Sequence, residues 1–413
     1  MGNGLDVLKE RGFVKQCTDF DKLDECMSKE QISFYVGVDP TGKSLHVGHM
    51  VPLFAMAHLQ RAGHRPLAVV GGGTALIGDP SGKTEMRKIQ SVEQIQQNAD
   101  SIKKQLGRII DFSDDKALLL NNYEWLGNLN YIEFLRDIGR HFSVNRMLSF
   151  ETYKMRLETG LSFIEFNYQL LQSYDFLVLN QEYNCKLQIG GDDQWGNIVA
   201  GVDLTRRVEG NEVYGLTFPL VTRADGKKMG KTEKGAVFLD PDMFSPYEYF
   251  QYWRNVADAD VEKFLMLFTF LPAEEVKELG KLKDKEINRA KEVLAYEQTK
   301  IIHGEEAAGK AKEAARSAFS AAGAAVQDKS AIPSIELKRE ELEKGINVMD
   351  LFSLTELCSS KSEARRLVSQ GGASVNGNKI TDINTTVDTS YEEEGELLLK
   401  AGKKRYFRVL INE

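Results

Sequence analysis

The feature that most constrains the fold is an alternation of short apolar runs with longer helical patterns over residues 1–220. Four runs are rich in β-branched or aromatic residues, namely Ile32–Val38, Pro66–Val70, Ala117–Leu120 and Lys186–Ile189. Amphipathic segments such as Val47–Ala62 separate them. Because strands that alternate with helices form parallel sheets covered by helices, the pattern predicts an α/β layer fold.

The remainder of the chain has a different organisation. A glycine- and lysine-rich stretch at 223–234 interrupts the alternation and predicts a mobile loop. The pattern is then entirely helical, so we predict a loop-and-helix domain over 221–325. Residues 326–345 are polar and charged, which predicts a linker. Short helices followed by strands predict a small α+β domain over 346–413.

Composition excludes several classes of protein. No apolar run approaches the roughly 20 residues of a membrane helix, and the N-terminus lacks the apolar stretch of a signal peptide. The four cysteines show no paired spacing, so we expect a cytoplasmic protein without a zinc site. The net charge is −8, from 53 basic and 61 acidic residues. Nucleic-acid binding would therefore depend on local basic patches.

Residues 37–44 match the phosphate-loop pattern GxxxxGK[ST], which would indicate an NTPase. Two residues disfavour this interpretation. Pro40 removes an N–H from a loop that must donate N–H groups to phosphate, and Asp39 adds a carboxylate beside it. The NTPase remains an alternative, with Lys43 as its essential residue.

His46-Val47-Gly48-His49 stands at the start of a predicted helix. A helix N-terminus attracts anions, Gly48 lets a nucleotide approach the backbone, and both imidazoles can donate hydrogen bonds to phosphate. Surface or metal-binding histidines are the alternative, but no third ligand is nearby. The motif resembles the HIGH signature of class I aminoacyl-tRNA synthetases.

Lys228-Met-Gly-Lys231-Thr232 resembles the second signature of that family, KMSKS. Taken alone, this stretch is typical of a solvated basic loop. Its position after HVGH fits a loop that closes over ATP, and the two motifs in this order are far more specific than either one.

A polar stripe interrupts an apolar helical pattern. Tyr168, Gln172 and Asp175 are spaced i, i+4 and i+7, which places them on one helix face. Such groups form either a structural network or a pocket for a polar ligand. Tyr35 points away from the apolar face of its predicted strand. A phenol and a carboxylate on facing elements, Tyr35 and Asp175, could together bind a substrate hydroxyl.

These stretches, together with 78–83 and 187–197, resemble tyrosyl-tRNA synthetases over essentially the whole chain. The resemblance implies a Rossmann-like catalytic domain over 1–220, a homodimer formed through an insertion at about 125–160, and tyrosine and tRNA(Tyr) as partners. It implies a tyrosine pocket made of Tyr35, Asp79, Asn122, Tyr168, Gln172, Asp175, Gln188 and Gln194. Asp79, Tyr168 and Gln172 would hold the ammonium group.

The resemblance also implies how ATP is used. The nucleotide would be bound by Gly37, Asp39, His46, Gly48, His49, Gly191, Asp193 and Lys231. The reacting phosphates would be contacted by Thr41, His46, His49, Lys228, Lys231 and Thr232, with Mg²⁺ sharing their charge. For Asp192 we favour simple helix capping.

The C-terminal stretch 362–379 resembles an S-four-like RNA-binding fold. Its candidate RNA-binding residues are Lys361, Arg365 and Arg366 on a predicted helix and Lys403, Lys404 and Arg405 near the end of the chain. Clusters of basic residues can bind RNA phosphates even when the domain as a whole is nearly neutral. A solvated charged face is the simpler interpretation. A non-catalytic RNA-binding paralogue is thus a further alternative.

Overall fold

The computed structural model describes residues 3–81, 90–226, 229–232, 235–320, 332–355, 357–402 and 405–412, with the backbone alone at 231–232 and 317–320. The chain forms two compact units. The first runs to Phe244 and includes Val256–Leu294, and the second contains Ser245–Asn255 and the residues from Ala295 onward. The described residues of 221–244 and 256–294 therefore belong with the N-terminal unit, which differs from the separate domain predicted over 221–325.

The strands are β1 (Gln16–Cys17), β2 (Ser33–Val38), β3 (Arg65–Val70), β4 (Leu118–Asn121), β5 (Cys185–Gly191), β6 (Tyr214–Phe218), β7 (Lys231–Thr232), β8 (Gly235–Ala236), β9 (Ser334–Lys338), β10 (Ile346–Asn347), β11 (Ala373–Val375), β12 (Asn378–Ile380), β13 (Thr386–Val387), β14 (Glu396–Ala401) and β15 (Arg405–Asn412). The helices are α1 (Gly4–Glu10), α2 (Phe20–Lys29), α3 (Met50–Arg61), α4 (Val92–Leu106), α5 (Tyr123–Leu126), α6 (Tyr131–Asp137), α7 (Val144–Ser149), α8 (Glu151–Thr159), α9 (Phe163–Tyr183), α10 (Trp195–Glu209), α11 (Pro246–Arg254), α12 (Val261–Phe268), α13 (Ala273–Gly280), α14 (Ile287–His303), α15 (Glu305–Ser320), α16 (Arg339–Glu343), α17 (Val348–Leu354) and α18 (Lys361–Ser369).

The first unit is built on a six-stranded sheet of order β1-β6-β5-β2-β3-β4. All neighbours are parallel except β1, which pairs with β6 in the antiparallel direction. The four predicted apolar runs correspond to β2, β3, β4 and β5, with ends that differ by at most two residues. The predicted α/β fold with a parallel sheet is confirmed.

Helix α9 covers the sheet beside β2, β3 and β5. Its Phe176 and Leu179 pack with Tyr35, Leu67 and Val69 in one buried cluster. The helix begins at a capping box, in which Ser162 and Glu165 each satisfy the other's backbone N–H. The capping box and the packing of the apolar face together stabilise α9, the helix that carries the polar stripe.

Helix α3, which follows the HVGH segment, is buried on nearly all sides rather than amphipathic. Nine of its 12 residues are buried, including His58. A helix that is apolar all round lies inside a unit rather than on its surface. The prediction that Val47–Ala62 is amphipathic is therefore wrong, although the helix lies within the predicted segment.

In the second unit, a five-stranded sheet has the order β12-β11-β14-β15-β9, with β9 parallel to β15. Leu337 of β9 and Leu342 of α16 belong to the apolar core of this sheet. The linker predicted over 326–345 is therefore wrong for residues 334–343. Exposed charges surround these apolar positions, so the stretch has the composition of a linker.

Within the described ranges, no helix has both the length and the apolar character needed to cross a membrane.

Candidate active site

The carboxyl ends of β2 and β5 mark the point where the order of the parallel strands reverses. β3 and β4 extend the sheet beyond β2 on one side, and β5 and β6 extend it on the other. Ligands of open parallel sheets bind in the crevice at such a point. Asp39 directly follows β2, and Asp192 and Asp193 follow β5. This edge is therefore the candidate active site.

Asp175 of α9 lies at the centre of a buried polar network. Its carboxylate accepts hydrogen bonds from Asn122 Nδ2 (3.0 Å) and Trp125 Nε1 (2.7 Å). Asn122 also donates to Thr74 Oγ1 (3.0 Å) and accepts from the Gly73 N–H (2.8 Å). Burial raises the pKa of Asp175 to about 7, although both donors act in the opposite direction. The site thus holds a carboxyl group that titrates near neutral pH.

The Tyr35 hydroxyl is buried and has no hydrogen-bond partner among the described residues. Its side chain is 1% exposed, and the ring packs against Phe176 with 5.3 Å between centroids. Burial, and then the Asp175 charge, raises the Tyr35 pKa well above its ordinary value, so the hydroxyl keeps its proton. The Oε1 atoms of Gln172 and Gln188 are also buried and have no partner in the part of the chain that the structure describes. Because such groups cost free energy, they indicate a pocket for a polar ligand.

Asp39 joins two elements at this edge. Its carboxylate accepts from Thr74 Oγ1 (2.8 Å) and from the Tyr168 hydroxyl (3.1 Å). A Cβ on Gly71 would lie 2.0 Å from Asp39 Oδ1, so the close approach requires glycine. Burial, followed by the charge of Asp39, raises the pKa of Tyr168 well above its ordinary value. Tyr168 is predicted to hold the substrate ammonium group together with Asp79 and Gln172. In the structure its hydroxyl donates to Asp39.

Asp79 lies beside the start of α10. It accepts hydrogen bonds from the Ser81 N–H (2.9 Å) and from Gln194 Nε2 (2.8 Å). Gln194 Oε1 in turn accepts from Asn197 Nδ2 (3.1 Å). Gln194 is thus oriented by a chain of amide hydrogen bonds and holds the Asp79 carboxylate in place.

The HVGH segment forms a short 3₁₀ turn, Val47–His49, before α3. His46 Nδ1 accepts from the Gly48 N–H (3.0 Å), and His49 Nδ1 accepts from the His46 N–H (3.2 Å). The two ring centroids lie 3.9 Å apart. Because each Nδ1 is an acceptor, the proton of each neutral ring is on Nε2. The turn therefore places two imidazole rings side by side, each of which can donate through Nε2–H.

The segment that follows Lys228 docks on HVGH through its backbone. The Val47 N–H donates to Val237 O (2.9 Å), and the Val237 N–H donates to Gly230 O (2.9 Å). Gly230 has φ +81°, and a Cβ there would lie 2.9 Å from the Gly48 nitrogen. Both signatures are therefore in direct contact, and Gly230 is required by its conformation and by the space available.

Two alternative interpretations do not fit this geometry. Ser44, the residue a phosphate loop would use for a metal ion, is buried, and its hydroxyl lies within hydrogen-bonding distance of Leu45 O (2.7 Å) and Gln105 Oε1 (3.2 Å). Asp192 does not cap a helix, since it accepts from Gln16 Nε2 (2.7 Å) and Thr217 Oγ1 (3.0 Å). The predicted cap is therefore wrong, because the Asp192 side chain bonds to β1 and β6 instead.

Comparison with known proteins identifies the family. Residues 27–320 match the model of class I tRNA synthetases (W and Y). The chain belongs to this family. Residues 325–409 match the SYY-like C-terminal domain of tyrosine–tRNA ligases.

Relatives of this class I synthetase match over its full length. A tyrosine–tRNA ligase of Treponema denticola is 58% identical over 413 residues, covering 100% of both chains. One from Clostridium botulinum strain Loch Maree is 56% identical over 411 residues, also covering 100% of both. Among solved structures, a truncated mitochondrial tyrosyl-tRNA synthetase of Aspergillus nidulans has a TM-score of 0.69 and 30% identity, covering 76% of this chain and 94% of its own.

The structure of this class I synthetase brings most of the predicted residues to one edge of the sheet. Gly37 and Thr41 flank Asp39, and a Cβ on Gly191 would lie 2.5 Å from Asp193 Oδ1. The backbone of Lys231 and Thr232 forms β7, which pairs with β8. Lys228, Lys403 and Lys404 lie outside the described residues.

Sequence reasoning missed two members of the synthetase site, Trp125 and Thr74. Both follow the carboxyl ends of strands, Thr74 after β3 and Trp125 after β4. The run Gly71-Gly72-Gly73 before Thr74 was the available signal, because glycines after a buried strand permit close backbone approach. Trp125 was hidden because it stands at the start of the predicted insertion.

The candidate RNA-binding residues of this synthetase differ in their surroundings. Arg365 and Arg366 of α18 are exposed, and Ala364 and Val368 face the core. Lys361 pairs with Asp350. Arg405 donates to Leu357 O (2.8 Å) and lies 3.7 Å from a carboxylate oxygen of Glu363, so part of its charge serves the domain itself.

Proposed function

We propose that the protein is a tyrosine–tRNA ligase, which activates tyrosine with ATP and then transfers the tyrosyl group to tRNA(Tyr). The observation that carries the specificity is the buried Tyr35 hydroxyl, which has no hydrogen-bond partner among the described residues and lies near enough to Asp175 for that charge to raise the Tyr35 pKa. The phenol of tyrosine would accept from Tyr35 and donate to Asp175. Phenylalanine would leave both groups buried without this bond, which costs free energy.

The other end of the substrate would be held by acceptors. Asp79 supplies a carboxylate, and Gln172 supplies a buried amide oxygen that has no partner among the described residues. An ammonium group offers three N–H donors and matches such acceptors. Tyr168 would position this end indirectly, through Asp39. Asn122 would instead position the hydroxyl end, through Asp175.

Activation would proceed without a general base. The tyrosine carboxylate is ionised at pH 7 and attacks the α-phosphorus of ATP, the bond to the bridging oxygen breaks, and pyrophosphate leaves with its electron pair. The barrier must fall through positioning and through donors to the phosphate oxygens. The Nε2–H groups of His46 and His49 would be such donors, with Gly48 allowing close approach. Thr41, Lys228, Lys231 and Thr232 would complete the set.

Mg²⁺ would be carried by the nucleotide. The two imidazoles of HVGH use Nδ1 to accept from backbone N–H groups of the same turn, and imidazole is a poor ligand for this cation. Mg²⁺ prefers oxygen ligands and is commonly held by substrate phosphates. When bound, the ion would share the negative charge that develops on pyrophosphate.

The exposed apolar residues of the first unit support a homodimer. They concentrate around the segment predicted as an insertion, and they include Tyr131, Ile132, Leu135, Val144, Met155, Leu157 and Phe163, which are 38–70% exposed. Apolar patches of this kind mark protein–protein interfaces. The tRNA would contact the C-terminal domain at Arg365 and Arg366, where exposed charge is available for phosphates.

The test is amino-acid-dependent ATP–pyrophosphate exchange without tRNA, comparing tyrosine, phenylalanine and tryptophan. We expect exchange with tyrosine alone, its loss in His46→Ala, and its retention in Lys43→Ala. Exchange with tryptophan would refute the assignment of the pocket. Loss in Lys43→Ala with retention in His46→Ala would favour the phosphate-loop NTPase. Binding of tRNA without any exchange would favour a non-catalytic paralogue.

A further inference from the structure

Asp260 stands at the N-cap position of α12, but its side chain makes no capping hydrogen bond. An aspartate at this position ordinarily accepts from the N–H groups of its own helix. Here Oδ2 accepts instead from the Ala224 N–H at 2.8 Å. The side chain is only 3% exposed, and a carboxylate is buried to this extent only where specific partners compensate for the loss of water.

A second side chain on the same turn contacts the same loop. Lys263 Nζ donates to Thr222 O at 2.6 Å and lies 3.6 Å from Asp260 Oδ1. The first turn of α12 thus holds residues 222–224 by two charge-assisted hydrogen bonds. These are the stronger class of hydrogen bond in proteins.

The loop held in this way leads directly to the second signature. The Met229 N–H donates to Val221 O at 3.3 Å, and Met229 is buried. Gly230 follows and lies against Gly48 of HVGH. The position of Lys231 relative to the two histidines therefore depends on where residues 221–224 are held.

Helix α12 is itself fixed against the helix that begins after HVGH. Phe268 of α12 packs edge-on against Phe54 of α3, with 5.9 Å between centroids. At the far end of α12, the buried Arg11 guanidinium donates to Met266 O and Thr269 O, both at 3.0 Å. One short helix therefore contacts α3 and holds the loop before the second signature.

We propose that Asp260 is a positioning residue for ATP use, which acts by holding the second signature against HVGH through Ala224. Lys263 acts in the same way through Thr222. Neither residue touches the site where tyrosine is proposed to bind. Their loss should weaken ATP use and leave tyrosine binding unchanged. The inference rests on the proposed function.

The experiment uses the full-length protein and pyrophosphate exchange, with KM measured separately for ATP and for tyrosine. Asp260→Ala should lower kcat/KM for ATP about tenfold or more, as expected when a hydrogen bond to a charged group is lost. Equilibrium binding of tyrosine without ATP should change less than twofold. Asp260→Asn keeps an acceptor oxygen for Ala224 and should retain most of the activity. Lys263→Met should also lower kcat/KM for ATP, by about threefold.

Asp258→Ala is the matched control. Asp258 lies in the same 3₁₀ turn but is 65% exposed and pairs with Lys291, so it should leave both KM values unchanged. An unchanged KM and kcat for ATP in Asp260→Ala would overturn the inference, as would equal losses for ATP and tyrosine. If Asp260→Ala fails to fold, Lys263→Met decides on the same criteria. Absence of exchange in the unmodified protein would overturn the proposed function instead.

Discussion

Replacing Asp175 by asparagine should stabilise the substrate-free protein at alkaline pH while abolishing its use of tyrosine. The carboxyl group is 4% exposed, and burial raises its pKa from 3.8 to about 7. The folded state therefore binds the proton more tightly than the unfolded chain does. The penalty for ionising Asp175 is absent below about pH 4, grows as pH rises toward 7, and is constant above that.

The size of the effect follows from two opposing contributions. A pKa shift of about 3 corresponds to roughly 4 kcal/mol at about 1.4 kcal/mol for each pKa unit, and asparagine removes this penalty. Asparagine has only one acceptor oxygen, so either Asn122 Nδ2 or Trp125 Nε1 loses its partner. That loss costs about 1–3 kcal/mol at any pH. The variant should therefore be about 1–3 kcal/mol more stable above pH 7 and less stable by a similar amount near pH 4.

The assay is thermal or urea unfolding of the unmodified protein and of Asp175→Asn, without substrates, at pH 5 and pH 8.5. The quantity measured is the stability given by the first unfolding transition. Asp242→Asn, which changes an exposed carboxylate, is the control and should show no pH-dependent difference. A stability difference between Asp175→Asn and the unmodified protein that does not vary with pH would refute the reasoning. In exchange assays, Asp175→Asn should show no measurable tyrosine dependence.

Three further predictions concern specificity, loop geometry and tRNA. Tyr35→Phe removes a buried hydroxyl that has no partner among the described residues, so it should raise the unfolding free energy by about 1 kcal/mol. It should also reduce the preference for tyrosine over phenylalanine about tenfold in exchange assays. Gly230→Ala should reduce exchange more than tenfold. Gly226 has a similar φ of +78°, but a Cβ there would meet open space. Gly226→Ala should therefore lose only the roughly 1–2 kcal/mol of stability typical of a left-handed residue. Equal effects of the two substitutions would contradict the proposed contact between the signatures. Replacing Arg365 and Arg366 together by alanine should raise KM for tRNA and flatten its salt dependence, with tyrosine-dependent exchange unchanged.

The sequence alone determined the fold class and the position of most elements of the first unit. Strands buried on both faces of a parallel sheet are continuous apolar runs, so β2, β3, β4 and β5 could be placed to within two residues. The second unit was harder, because β9 has only Ile335 and Leu337 among charged residues. A strand at the edge of a sheet buries little, so its composition resembles that of a linker.

The site residues were reached through their motifs and a family resemblance, but their partners were not. HVGH and KMGKT are separated by about 180 residues, and no spacing rule states that Gly230 lies against Gly48. Likewise, whether the Tyr168 hydroxyl donates to Asp39 or to Asp79 depends on how α9 is rotated against the sheet. The sequence determined which chemical groups are available, because the identity of each side chain is given by its own position in the chain.

Only the tertiary structure decided which of these groups meet. Asp192 and Asp260 both have the sequence context of a helix cap, and both accept from other segments instead. Trp125 and Thr74 join the network of Asp175 because the carboxyl ends of neighbouring strands converge. Such contacts are fixed when sheet order and helix packing bring distant segments within hydrogen-bonding distance, and this is a property of the whole fold.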